Sequence, residues 1–177
     1  MTNLSPVAQR FLLHWGEMGT RWGINRTVAQ VHALLYLSPK PLNADQVVEA
    51  LGVARSNVSN CLKELQGWGI VRLVHVLGDK RDHFESMKDV WEMFRIILDE
   101  RKKREIDPTI RLLRECVAEA AHMRQRDAYV LQRLEALDEF FTQTGSWYAE
   151  VRSWSMPAIM RFLKLAAKAR RLLGIEG

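Results

Sequence analysis

The sequence predicts a mainly α-helical fold with one small β-hairpin. Apolar residues recur at every third or fourth position along most of the chain, which is the spacing of amphipathic helices. Residues 70–76 break this spacing with a β-branched apolar stretch, and a glycine-containing turn follows. Two short helical segments stand just before that stretch. This order of elements predicts a winged helix-turn-helix followed by a helical dimerisation region.

The first two helices are predicted from their apolar spacing and their ends. Residues 5–19 carry one apolar stripe, formed by Val7, Phe11, Trp15 and Met18. Residues 26–37 form a second helix of the same kind. Pro39 and Pro41 end it, because proline lacks the N–H group that a continuing helix needs.

The next two helices form the predicted helix-turn-helix. Asn43 is a favourable N-cap for a helix over residues 44–51, and Gly52 suits the left-handed conformation that follows a helix. A further helix is predicted over residues 54–66. Its inward face consists of Val58, Cys61, Leu62 and Leu65. The opposite face is short and polar.

The hairpin is predicted as a wing beside this helix. Residues 70–76 form one strand, residues 78–81 the turn and residues 83–87 the returning strand. This arrangement puts the cations Lys80 and Arg81 at the hairpin tip. In a winged fold such a tip reaches along the DNA backbone or into the minor groove.

The second half of the chain is predicted to be helical. One helix ends in the charged run 101–105, and the next begins with Asp107 as its cap and Pro108 as its first residue. A later helix is expected to stop near Gly145, and Pro157 interrupts or restarts the last helical region. We therefore divide the chain into a DNA-binding domain, 1–87, and a linker with a dimerisation and effector region, 88–177.

Composition narrows the class of protein. The chain has 177 residues and a net charge of +5, and its sequence pI is about 9.5. This balance favours an anionic partner, either nucleic acid or a membrane surface. No apolar run reaches the length of a membrane span, no leader is visible, and two cysteines are too few for a disulfide framework. We expect a cytoplasmic protein with no membrane partner.

The outer face of the helix over 54–66 carries the residue types that read DNA. Arginine and asparagine can pair with guanine and adenine edges, while serine and lysine serve bases or phosphates. The predicted DNA contacts are Arg55, Ser56, Asn57, Ser59, Asn60 and Lys63, with Lys80 and Arg81 of the wing. Each feature alone is equally consistent with an ordinary solvated surface. Their combination in this order favours double-stranded DNA as the partner.

Several motifs resemble those of a known family. Residues 56–59 (SNVS), with Leu62, Leu65 and residues 69–71 (GIV), resemble the recognition-helix region of MarR-type regulators. Residues 78–85 (GDKRDHFE), 89–94 (DVWEMF), 101–108 (RKKREIDP) and 144–148 (TGSWY) resemble the GbsR branch more narrowly. The resemblance covers nearly the whole chain. It implies a bacterial dimeric regulator, usually a repressor, with DNA contacts from residues 55–63 and from Lys80 and Arg81.

A homodimer is expected, because symmetric operators are read by two recognition helices about 34 to 36 Å apart. The apolar stripes at the two ends of the chain exceed what a small winged core needs. We assign to the dimer interface Val7, Phe11, Trp15, Ile159, Phe162 and Leu163. The alternative is that these side chains pack within one subunit.

Five aromatic residues suggest a small-molecule effector pocket. They are Trp91, Phe94, Trp147, Tyr148 and Trp154. Aromatic faces attract quaternary ammonium groups, and the resemblance implies that some relatives respond to solutes such as choline. The alternative is that these rings belong to the core, where aromatic stripes at helical spacing are common.

Nothing in the sequence indicates catalysis, and we expect no catalytic site, metal or cofactor. The histidines show no paired metal-ligand spacing, and no phosphate loop or nucleophile elbow is present. Cys61 is expected to be a buried small hydrophobe. The cations of residues 101–104 form either a solvated helix face or an auxiliary phosphate contact. The competing function is a winged-helix protein–protein interaction module without DNA binding.

Overall fold

The structure is a computed structural model that describes residues 4–123, 127–172 and 174. The contacts divide the chain into two compact units, Met1–Ile97 and Leu98–Gly177. Within the described ranges, no helix is both long enough and apolar enough to cross a bilayer.

The first unit begins with two helices, each capped by a side chain. Helix α1 is Pro6–Arg21, and the Ser5 hydroxyl caps it by accepting from the N–H of Ala8 at 3.2 Å. Helix α2 is Arg26–Leu37, capped by Asn25. A Cβ on Gly19 would lie 2.6 Å from the Cβ of Ala29, so a glycine is needed where these helices meet. The predicted bounds of α2 are confirmed.

The helix-turn-helix is present with the predicted caps. Helix α3 is Ala44–Leu51, and Asn43 and Gln46 form a reciprocal capping box at its start. Gly52 ends α3 with a φ of 65°, the left-handed conformation that favours glycine. Helix α4 is Arg55–Gly67, one residue later at each end than predicted.

The wing belongs to a three-stranded antiparallel sheet rather than to an isolated hairpin. Its strands are β1, Leu42–Asn43, then β2, Val71–Val76, and β3, Asp79–Ser86. The strand order is β1-β3-β2, with Leu42 opposite Phe84 and Leu73 also opposite Phe84. The two residues of β1 are too few to show a strand period in the sequence. By pairing with β3, they connect the segment before α3 to the wing.

A continuous apolar core holds the first unit together. Its most deeply buried large side chains include Leu34, Leu35, Leu65, Ile70, Val31, Val47 and Val58. They come from α2, α3, α4 and the start of the sheet, so the core packs the inner face of α4 and leaves its outer face free.

Lys88 links the end of the sheet to α2. Its Nζ atom donates to three main-chain carbonyl oxygens, those of Leu35 at 3.2 Å, Tyr36 at 2.8 Å and Ser38 at 3.2 Å. The ammonium group also lies 5.5 Å from the centre of the Tyr36 ring. Carbonyls at a helix C-terminus carry partial negative charge and lack helical partners, so this cation completes the end of α2.

The helices that follow the wing are more continuous than the sequence predicts. Helix α5 is Val90–Arg101, and a π-helical segment, Lys102–Ile106, leads directly into α6, Asp107–His122. The expected start of an α-helix at Asp107 is confirmed, but the expected role of Asp107 as its N-cap is wrong. Asp107 has helical φ and ψ angles, its side chain caps nothing, and its carboxylate accepts from the Nζ atom of Lys102 at 2.5 Å.

The last two helices correct one prediction and confirm another. Helix α7, Ala128–Ser153, passes straight through Gly145, so the expected stop there is wrong. Helix α8, Met156–Leu172, begins just before Pro157, as expected for a restart at that proline. Neither helix has a fully buried residue within the part of the chain that is described.

Polar contacts connect the helices of the second unit. Tyr148 donates its hydroxyl to Asp99 at 2.8 Å, and Arg152 donates to the other oxygen of that carboxylate at 2.6 Å. Arg114 donates to Asp138 at 3.2 Å and so joins α6 to α7. Partial burial raises the pKa of Asp99, but the hydrogen bonds from Arg152 and then Tyr148, with the positive charge of Arg152, together outweigh it and hold that pKa below its usual range.

Candidate nucleic-acid interface

Helix α4 presents two chemically distinct faces. Val58, Cys61, Leu62 and Leu65 are buried, as predicted. The outward residues are exposed, and only Ser59 among the predicted contacts is partly buried. The exposed set is Arg55, Ser56, Asn57, Asn60 and Lys63. The structure therefore puts the predicted contact residues of α4 on one polar, solvent-facing surface.

The N-terminus of α4 is open to an anion. Ala54 stands at the N-cap position and provides no side-chain hydrogen bond, in contrast to Ser5, Asn25 and Asn43 at the first three helices. The first N–H groups of a helix have no partner within the helix. They can donate to a phosphate that approaches along the helix axis.

Arg55 forms an ion pair that the sequence does not predict. Its guanidinium pairs with the carboxylate of Asp45 in the first turn of α3, and both side chains are more than half exposed. Ten residues separate the two in the sequence, so no local pattern indicates the pair. Because an exposed ion pair is weak, incoming DNA can replace the carboxylate.

The Cys61 thiol lies on the inner side of α4 and supports the interpretation as a buried hydrophobe. Burial and then the charge of Glu64 raise its pKa, so the unreactive protonated form is favoured. The Sγ atom is 3.6 Å from Oδ1 of Asn57, to which it donates. This contact occupies the Asn57 oxygen and leaves the amide N–H groups for a base.

The tip of the wing differs from the predicted turn over residues 78–81. Val76 pairs with Asp79, so the loop consists of Leu77 and Gly78, with a φ of 85° at Gly78. Lys80 and Arg81 lie in β3, behind the tip. Strand pairing extends farther than the turn residues suggest, which makes the predicted position of these cations wrong. Leu77 is the fully exposed residue at the tip.

The two cations of β3 differ in their partners. Arg81 donates to both carboxylate oxygens of Asp79, at 2.9 Å from Nε and 2.5 Å from Nη2. This pairing holds the pKa of Asp79 well below its usual range. Lys80 is exposed and forms no ion pair with the described residues, so it is the available cation of the wing.

A wide cleft separates α4 from the wing. It has a volume of about 490 Å³, and Lys63, Gln66, Lys80 and Arg81 line its walls. Asn43 also lines the cleft, and its side-chain Nδ2 atom is buried and has no hydrogen-bond partner among the described residues. The helix–wing surface, as we call this cleft with the exposed face of α4, can follow a polyanion with a groove-reading helix beside it.

Comparison with known proteins agrees with this geometry. Residues 22–82, which contain α2, α3, α4 and most of the wing, match the model of the MarR family. The winged helix-turn-helix of this chain is thus of the MarR type.

Two curated relatives of this regulator come from Bacillus subtilis (strain 168). The HTH-type transcriptional repressor OpcR is 20% identical over 71% of this chain and 68% of its own length. The putative HTH-type transcriptional regulator YvaV is 23% identical over 53% of each chain. A crystal structure of a transcriptional regulator, 16% identical, shares the fold with a TM-score of 0.56 and covers 83% of this chain and 96% of its own.

The predicted aromatic effector cage of the MarR-type regulator stays a prediction. Trp91 and Phe94 belong to the first unit and are about half exposed. In the second unit Trp147 is exposed, Tyr148 is bonded to Asp99, and the Trp154 ring meets Phe162 edge-on at 5.2 Å. Each unit thus leaves part of the set available to a ligand.

Proposed function

We propose that this MarR-type DNA-binding regulator is a homodimer that recognises a specific duplex sequence and represses transcription beside it. The observation that carries the proposal is the outer face of α4, where exposed arginine, asparagine and lysine side chains stand over a fully packed inner face. Helix α4 would enter the major groove, and the wing would contact the adjoining backbone. Since the partner is DNA, the proposed compartment is the cytoplasm.

Each wing residue has a proposed role that follows from its position. Lys80, which forms no ion pair with the described residues, would contact a phosphate. Leu77, fully exposed at the tip, would supply an apolar contact in the minor groove, where some proteins insert aliphatic side chains. Arg81 would contribute only after it exchanges Asp79 for a phosphate.

The homodimer is supported by the second unit and by the geometry of operators. One recognition helix offers few base contacts, and symmetric sites need two. Phe162 and Leu163 of α8 are each about half exposed, as expected for an interface. Phe11 and Trp15 stack at 5.4 Å and pack against the core of their own unit, so the interface we propose centres on α8 rather than on that part of α1.

The repressor role is supported by OpcR, which is named as a repressor. Selection of bound duplexes from a random pool identifies the operator. A gene reporter beside that operator is then expected to rise when the regulator is deleted. Failure to select any duplex would contradict DNA recognition and favour a protein–protein interaction module.

Two substitutions separate base reading from backbone contact. We expect Arg55→Ala to weaken operator binding by about 1 to 3 kcal/mol and to relax preference at one base position. Lys80→Ala should weaken all sequences alike and lower the slope of log affinity against log salt by about one. Both effects are measured by fluorescence anisotropy over a salt series.

Arg10→Ala is the matched control, because Arg10 is an exposed cation on α1, outside the helix–wing surface. It removes the same charge and should leave sequence preference unchanged. If Arg55→Ala behaves like Arg10→Ala, then α4 does not read bases through Arg55.

A further inference from the structure

The last helix, α8, is exposed along most of its length. None of its described side chains is fully buried, and every residue from 160 to 171 is exposed. A helix of this kind gains most of its stability when one face packs against a partner. Two sides of α8 are available for contacts outside its own unit, and they differ in chemistry.

One side of α8 is a row of cations with spacings of three, four and three residues. The row consists of Arg161, Lys164, Lys168 and Arg171. Residues three and four apart are neighbours on a helix surface, so the four side chains share one face. At a rise of about 1.5 Å per residue, the row is about 15 Å long. We call these four residues the cationic stripe.

The opposite side of α8 is apolar. The same helical spacing places Ile159, Phe162 and Ala166 there, with Leu163 beside them. Phe162 and Leu163 belong to the dimer interface proposed above. An interface on that side leaves the cationic stripe at the surface of the dimer, so dimerisation does not account for the stripe.

The cationic stripe has no anionic partner within residues 4–123, 127–172 and 174. None of its cations forms an ion pair there, and α8 itself contains no acid. Other cations of the second unit do have such partners: Lys102 pairs with Asp107, and Arg114 with Asp138. The stripe therefore differs from these cations in lacking an internal counter-charge.

The charge of the stripe is unfavourable to the helix that carries it. Like charges three or four residues apart repel and destabilise a helix. The helix dipole favours cations only in the last turn, where Arg170 and Arg171 lie. Arg161 and Lys164 lie farther from the C-terminus and gain no such stabilisation. An external anion would offset the repulsion along the whole stripe.

We propose that the cationic stripe binds the phosphate backbone of duplex DNA without regard to its sequence. Each strand of a duplex carries one phosphate per about 3.4 Å of its axis, so a length of about 15 Å presents about four phosphates to the four cations. This inference goes beyond the proposed function. It concerns a surface of the second unit, separate from the helix–wing surface, and it requires neither operator recognition nor repression.

The placement of the stripe favours DNA over a lipid surface. A helix that binds a bilayer lies in the head-group region with its apolar side buried. Because the stripe lies opposite the apolar side of α8, burying that side would turn the four cations toward water. A duplex needs only the cationic side, and it leaves the apolar side to the proposed dimer.

The direct test is fluorescence anisotropy with full-length protein and a labelled duplex of unrelated sequence. Binding of this kind is weak at physiological salt, with dissociation constants on the order of 10⁻⁴ to 10⁻⁶ M, so the titrations begin at low salt. One variant replaces all four stripe residues by glutamine, which keeps a good helix propensity. It is expected to lower affinity at least about tenfold and to lower the slope of log affinity against log salt by about three to four.

The matched control removes the same charge elsewhere. It combines Arg10→Gln, Arg111→Gln, Arg133→Gln and Arg170→Gln, all at exposed positions outside the stripe. It is expected to lower affinity less than about threefold, with a slope changed by less than about one. An equal loss in the two variants would overturn the proposal, because net charge rather than the stripe would then hold the duplex.

Three further measurements complete the experiment. Circular dichroism and sedimentation should show the helix content and oligomeric state of the parent in the stripe variant. A changed oligomeric state would overturn the proposal, since the stripe would then belong to the subunit interface. Labelled polyglutamate and phosphatidylglycerol vesicles are titrated in parallel, and tighter binding of either through the stripe would also overturn it. No operator is needed, so failure to select one would contradict the proposed function and leave this result standing.

Discussion

The first unit contains a closed apolar core within one chain, whereas the second leaves most of its large apolar side chains at least partly exposed. In the first unit Val31, Leu34 and Leu65 are almost fully buried and belong to one continuous cluster. In the described part of the second unit, Leu113 is the only large apolar residue in the buried class. Its apolar residues with substantial exposure include Leu112, Tyr129, Leu137, Phe140, Trp147, Phe162 and Leu165.

This difference teaches how the two units acquire stability. A closed core stabilises a domain by itself, so the first unit can hold α4 rigidly. Large exposed apolar surfaces on helices mark association sites. We therefore expect the stability of the second unit to depend on protein concentration, as it does in obligate dimers.

The largest expected effect comes from truncating one apolar side chain in each unit. Leu65→Ala should lower the free energy of unfolding by about 3 kcal/mol, because it leaves a cavity in the closed core. Phe162→Ala, at a half-exposed site, should instead weaken self-association. Urea unfolding at two protein concentrations and sedimentation equilibrium distinguish the two effects. Unchanged self-association of Phe162→Ala would contradict the proposed difference between the two units.

The next effect concerns pH. Burial, and then the charge of Lys88, lowers the pKa of His32 from 6.5 to about 4. As the pH falls from 6.5 to about 4, the unfolded chain takes up a proton that the folded chain does not. The free energy of unfolding should therefore decrease by on the order of 3 kcal/mol over this window and show no further His32 contribution below it.

Denaturant titrations between these pH values test the effect. His32→Phe should flatten the dependence, and His122→Phe, at an exposed position of α6, should not. An equal response in both variants would mean that the core of the first unit does not exclude the charged imidazole.

The smallest effect compares two lysines. Lys88→Met removes three hydrogen bonds to main-chain carbonyls and should destabilise the first unit by about 2 kcal/mol. Lys102→Met removes one partly exposed ion pair and should cost about 0 to 1 kcal/mol. Thermal unfolding of both variants measures the difference, and similar losses would contradict the contrast between the units.

The sequence correctly predicts those features of the fold that depend on a few neighbouring residues. The Asn43 cap, the left-handed Gly52 and the restart at Pro157 are correct, because each depends on a few neighbouring residues. The expected cap role of Asp107 and the expected helix stop at Gly145 are wrong for a related reason. A cap residue or a helical glycine permits a boundary, but the structure on both sides decides whether the helix ends there.

The candidate DNA site divides in the same way. Helical periodicity identifies the outward face of α4, and the structure confirms its exposure. Strand β1, the true tip at Leu77, and the pairing of Arg55 with Asp45 depend on contacts between separated segments. Sequence spacing alone does not predict those contacts, so they emerge only in three dimensions.

The two paired arginines of the helix–wing surface bear on how the regulator searches for its site. In the complex we propose, Arg55 and Arg81 would each meet DNA already paired with an aspartate of the same unit. At a distance the surface is therefore less positive than its arginine count indicates, and we expect brief residence on unrelated sequences. Only where the contacts offered by DNA surpass those of Asp45 and Asp79 do both guanidinium groups change partners, which slows departure from the correct site.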